Sequence, residues 1–79
     1  MITKTIAETF RKIADILEIK GENVFRVRAY ARAAQNIEGL TEDIQDIINE
    51  GRLREIPGIG KDLSEKIKEM AANNGRLKF

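Results

Sequence analysis

The sequence has no cysteine and no histidine. Disulfide frameworks, thiol nucleophiles, the commonest zinc ligands and imidazole acid–base chemistry are therefore excluded together. Long hydrophobic runs are missing as well: uninterrupted apolar stretches are a few residues long, against the roughly 20 needed to span a bilayer, and the N-terminus lacks a signal-peptide pattern. Nor is there an excess of charge of one sign. Fourteen basic and thirteen acidic residues leave a net charge of +1, too small to mark a nucleic-acid binder by its overall field. A chain of 79 residues makes one domain with a modest core, because at this size only roughly 60% of the unfolded surface is buried. The expectation is a soluble, intracellular, single-domain protein without a membrane partner.

The charges that are present are unevenly placed. Glu42, Asp43, Asp46 and Glu50 fall together without a base among them, whereas Arg26, Arg28 and Arg32 cluster, and Lys61, Lys66 and Lys68 follow the glycines. A basic face opposite an acidic one would account for the near-zero sum.

Apolar periodicity predicts helices throughout, and no useful stretch alternates with the period of a strand. Ile2, Ile6, Phe10, Ile13 and Leu17 recur at steps of four, four, three and four, which stacks them on one helix face. Thr5 and Glu8 stand at capping-box spacing, with Thr3 as an equal alternative, and Gly21 is the stop. Asn23 caps a second helix to about Ile37, with Tyr30, Ala33 and Ile37 as its stripe and Gly39 as its end. Thr41 starts a third helix carrying Ile44, Ile47 and Ile48 inward to Gly51. A short helix over Gly51–Ile56 precedes a break at Pro57–Gly60. Leu63, Ile67, Met70 and Ala71 mark the last helix, closed by Asn74 and Gly75. The predicted fold is all-α, a compact bundle of four to five short helices. Loops at Gly21 and Gly58 each join a helix pair, so a duplicated hairpin is one possible origin.

The chemically informative stretch runs from Leu53 to Ile67: a helix, the turn Pro57-Gly58-Ile59-Gly60, and a second helix. Gly58 and Gly60 permit close approach to the backbone and expose amides at a helix start, where the helix dipole favours an anion. Ile59 fixes the turn in the core, and Lys61 adds charge beside a bound phosphate. A bare Gly-x-Gly is usually only a tight interhelical turn. Here Ile56, Ile59, Leu63 and Ile67 match the helix-hairpin-helix pattern position by position, and nothing in the arrangement reads bases.

Beyond the hairpin, Phe25-Arg26-Val27-Arg28-Ala29-Tyr30, Ala33-Ala34, Lys66-Ile67 and the tail Gly75-Arg76-Leu77-Lys78 extend a resemblance over nearly the whole chain. It resembles the N-terminal domain of bacterial and archaeal family X DNA polymerases and, more distantly, that of DNA polymerase beta. The resemblance implies a cytoplasmic, nucleoid-associated, monomeric module, the N-terminal piece of a longer polymerase. It would hold gapped or nicked DNA by the 5′-phosphate without reading sequence. The implied DNA-contact residues are Gly58, Ile59, Gly60, Lys61, Arg26, Arg28, Tyr30, Arg32 and Lys66. It further implies no tightly bound cofactor, but a potassium or sodium ion on the backbone carbonyls of Arg54, Ile56 and Ile59.

Some family members form a Schiff base with an abasic sugar through a lysine, and Lys66 stands at the matching position. The reaction needs an unprotonated amine. Partial burial beside Leu63, Ile67 and Met70 favours that form. Against it, Asp62 lies four residues earlier, replacing a lysine of the eukaryotic lyases, and Phe25 replaces a histidine. Lys66 is then either a catalytic nucleophile or a helix-flank phosphate contact. Tyr30 is either a core aromatic or a ligand contact, and Arg28 and Arg32 are either solvated charges or phosphate contacts. A DNA-binding module leads; a deoxyribose-phosphate lyase and a protein-interaction domain are the alternatives.

Overall fold

The computed structural model describes residues 2–73. It contains four α-helices, α1 (Ile2–Ile19), α2 (Val24–Glu38), α3 (Ile44–Asn49) and α4 (Lys61–Ala72), with a single 3₁₀ turn at Leu53–Glu55 before α4. No strand occurs among the described residues, and no helix there is long and apolar enough to cross a membrane. The all-α expectation holds. Asn73 closes α4, its amide returning to Glu69 and Met70. The expected stop at Asn74-Gly75 and the tail Gly75–Lys78 lie outside the described residues.

α1 and α2 form the larger hairpin and supply the framework. Ile6 and Phe10 of α1 are fully buried against Ala33, Ala34 and Ile37 of α2. Two adjacent alanines at the contact let the helix backbones approach, because a methyl takes up little of the space between two helices. Phe10 meets Tyr30 edge to face, with ring centroids 5.4 Å apart and planes at 83°, an arrangement the ring quadrupoles favour. At the turn, Gly21 adopts φ +69°, and the amides of Gly21 and Glu22 bond back to the Glu18 and Leu17 carbonyls at 3.1 and 2.9 Å, satisfying the end of α1. Asn23 caps α2 as expected: its side-chain oxygen accepts from the Phe25 amide at 2.8 Å. Arg11 donates to Glu38 across the two helices.

Two expected caps are corrected. α1 already runs from Ile2, so Thr3 and Thr5 lie within it rather than before it. Thr3 is instead 9% exposed; its hydroxyl donates to Asp43 Oδ1 at 3.3 Å and accepts from the Ile44 amide at 3.0 Å. Asp43, not Thr41, is the N-cap of α3, accepting from the Gln45 amide at 3.0 Å. An aspartate held by a threonine across the fold out-competes a free threonine two residues earlier, since both orphan amides of the helix start are then satisfied. Within α3, Ile44 and Ile47 are buried and Ile48 is half-buried. Beyond it, Arg52 donates to Glu42 at 2.8 Å and to Glu50, so the acidic segment has a base of its own.

The second hairpin has unequal arms, one 3₁₀ turn against the 12 residues of α4. Leu53, Ile56, Ile59, Leu63, Ile67 and Met70 are all buried, and they carry this unit into the same core as α1 and α2.

Thr3→Val should destabilise the domain by about 1–3 kcal/mol, because it keeps the shape but strands the buried Ile44 amide; urea denaturation measures this. The Arg52 hydrogen bond and charge hold the Glu42 carboxyl below its ordinary range. A lowered folded-state pKa contributes stability above the unfolded value, and that stability is lost as pH falls through the folded one. Glu42→Gln should therefore lower stability slightly at neutral and alkaline pH, leave it unchanged at pH values below the folded-state pKa, and so flatten the acid limb of the stability–pH profile measured by urea denaturation.

Candidate nucleic-acid interface

The turn between the 3₁₀ segment and α4 is fixed from inside. The Ile59 amide donates to the Ile56 carbonyl at 3.1 Å, and both side chains are buried, at 4% and 5% exposure. Ile59 therefore serves the core with its side chain, and only its backbone is available to a ligand. From α2, Asn36 donates its side-chain amide to the Pro57 carbonyl, a tie with no cue in the sequence beyond a polar residue on the helix row shared with Arg32.

The two glycines do different work. Gly58 has φ +86°, and a Cβ there would sit 3.4 Å from Asn36 Nδ2 and 3.5 Å from Arg32 Cγ. The positive φ demands glycine, and the turn rests on the methylene stem of Arg32. Gly60 is extended (φ −94°, ψ −166°) and is the N-cap of α4, with no side-chain hydrogen bond capping the helix. A Cβ on Gly60 would meet nothing within 4 Å. Its bareness thus answers to no protein neighbour and leaves the first amides of α4 open to an approaching anion, which the helix dipole attracts. Lys61 is exposed beside this opening.

The remaining sequence-predicted residues divide into two groups and one outlier. Arg32 is exposed beside the turn and extends the hairpin cluster onto α2. Arg26, Tyr30, Asp62 and Lys66 are brought together, with Ala29 and Leu63, around a recess of about 190 Å³ between α2 and α4. Tyr30 is only 5% exposed, so most of its ring belongs to the core and just an edge opens into the recess. Lys66 is half-buried, and Phe25, at 73% exposure, stands outside the recess lining. Arg28 is exposed on the outer side of α2 and is outside that lining too. Of the three carbonyls considered for a cation, that of Ile56 already accepts the Ile59 amide, which leaves it one further lone pair. No group of histidine, cysteine or carboxylate ligands able to hold a metal occurs among the described residues.

Residues 1–75 match the family model of the helix-hairpin-helix domain, and the chain belongs to that family, whose domains are in general non-sequence-specific DNA-binding modules. No curated protein and no solved structure matches the chain.

Gly58→Ala should cost about 1–2 kcal/mol of stability, the penalty of a left-handed residue with a Cβ. Gly60→Ala should change stability by less than about 1 kcal/mol, because its extended backbone suits alanine while alanine is a poorer N-cap than glycine. Thermal unfolding of the two variants separates the glycine the fold needs from the glycine it does not.

Proposed function

We propose that this helix-hairpin-helix domain grips DNA at a gap or nick carrying a 5′-phosphate, as the N-terminal module of a family X DNA polymerase. The supporting observation is the open, uncapped amide end of α4 at Gly60, flanked by Lys61 and by Arg32 lying against Gly58. Backbone amides on a helix start recognise a phosphate oxygen whatever base it carries. Affinity then falls with salt and ignores sequence. The polymerase assignment draws on the resemblance of the Phe25–Tyr30 segment and of the hairpin to that family. A potassium or sodium ion on the carbonyls of Arg54, Ile56 and Ile59 would suit their neutral oxygen donors and would supply positive charge next to the phosphate.

The test is a titration with gapped duplex bearing or lacking the 5′-phosphate. The unaltered domain should prefer the phosphorylated gap, and Gly60→Ala should weaken binding at least several-fold while remaining folded. Equal affinity of that variant would remove the α4 amides from the mechanism. Backbone amide shifts on adding DNA should appear at Gly58–Lys61 and along Arg26–Arg32; shifts confined to Glu42–Glu50 would show that the opposite face binds.

The recess that joins Lys66 to Arg26 and Tyr30 favours a second reading, a deoxyribose-phosphate lyase with Lys66 as the amine nucleophile. Asp62 in the same recess repels a sugar phosphate, and positioning supplies much of the rate in such reactions. Borohydride trapping on an abasic 5′-end should be weak or absent, and Asp62→Lys should raise it. Strong trapping by the unaltered chain, abolished in Lys66→Ala, would put catalysis first.

A further inference from the structure

A second basic edge lies on the other side of α4 from Lys66. Arg54, from the 3₁₀ turn, and Lys68, from the third turn of α4, line a shallow recess of about 70 Å³ with Gly51, Leu53 and Ser64. Lys68 stands seven residues after Lys61, two helical turns on, and so shares its face at a distance of about 10 Å along the axis. Between them Ser64 is small and 5% exposed. Its hydroxyl proton goes to the Lys61 carbonyl at 2.8 Å, so the serine shapes the floor and the two cations supply the attraction. Arg54 and Lys68 are both exposed, and neither forms an ion pair among the described residues. Arg52, two residues from Arg54, is by contrast held by Glu42 and Glu50.

We propose that Arg54 and Lys68 form a second phosphate seat, so that the bound strand continues from the Gly60 amides past Lys61 and along the edge of α4 that faces the 3₁₀ turn. The spacing suits it: about 10 Å along α4 lets Lys61 and Lys68 meet different phosphates of one strand. The ligand is a run of consecutive backbone phosphates of one strand, and the recess offers no hydrogen-bonding pattern that distinguishes bases. Glu65, four residues after Lys61 and three before Lys68, is the acid beside this edge and opposes the strand.

This rests on the proposed DNA-binding reading, and salt titrations on one duplex separate the two. Each phosphate contact contributes about 0.9 to the slope of log K against log salt. Arg54→Gln combined with Lys68→Gln should make the slope shallower by about two, with lower affinity for every sequence, whereas Lys4→Gln and Lys12→Gln together, two exposed positions of α1, should leave it unchanged. Glu65→Gln should tighten binding, a gain that loss of structure would not produce. An unchanged slope and affinity in the Arg54/Lys68 variant, with Gly60→Ala still weakening binding, would overturn the second seat and leave the first standing. Absence of salt-dependent binding by the unaltered domain would remove both.

Discussion

The bond from the Asn36 side chain to the Pro57 carbonyl is the constraint on which the rest of the binding surface depends. Helix α2 is already set against α1 by Phe10, Ala33, Ala34 and Ile37, so a tie from α2 to the turn transfers that position to the start of α4. Gly58 then lies over the stem of Arg32, which sets this exposed arginine beside the turn that leads into α4. Ile56 and Ile59 hold the turn from beneath. The proposed phosphate seat, made of backbone groups, is only as well placed as the backbone, and here burial and one cross-helix hydrogen bond fix that backbone.

The charge pattern follows from the same architecture. A net charge of +1 hides a division of labour in which Arg11 and Arg52 are engaged by Glu38, Glu42 and Glu50. These pairs are exposed and contribute little stability in themselves. Their consequence is positional: they neutralise Arg11 and Arg52, the latter in a recess that Glu42 and Arg52 share with Ile56 and Pro57, while Arg26, Arg32, Lys61 and Lys66 form no ion pair among the described residues. Fields that decay over about 8 Å in physiological salt respond to this local arrangement more than to the total.

Much of this was legible in the residues. Steps of three and four located α1, α2 and α4, Asn23 announced its cap, and Ile56, Ile59, Leu63 and Ile67 located the hairpin, because each of these depends on neighbours in sequence. The features that escaped depend on partners far along the chain. Thr3 looks like a local cap until the Ile44 amide, 41 residues away, claims its hydroxyl. Thr41 and Asp43 are both acceptable helix starts, and the choice falls to the one that Thr3 can reach. Asn36 carries no local cue at all, since its partner is a carbonyl. Arg54 enters the sequence reading only through the resemblance, for its backbone oxygen, and only the fold sets it around one recess with Lys68.

The hydrogen bond that orients the second hairpin spans 21 residues and those that anchor the start of α3 to α1 span 40 and 41, whereas the α1–α2 hairpin is closed by a turn of four residues between Ile19 and Val24. Ordering a long loop costs more entropy than ordering a short one, so local contacts form early and distant ones late. The α1–α2 pair is thus the natural nucleus, and the hairpin is a late arrival that takes its geometry from a surface already built. On the proposed reading, competence to hold a phosphate would report completion of folding: an excised Leu53–Ala72 peptide would keep the glycines and lysines yet lose the surface that aims them.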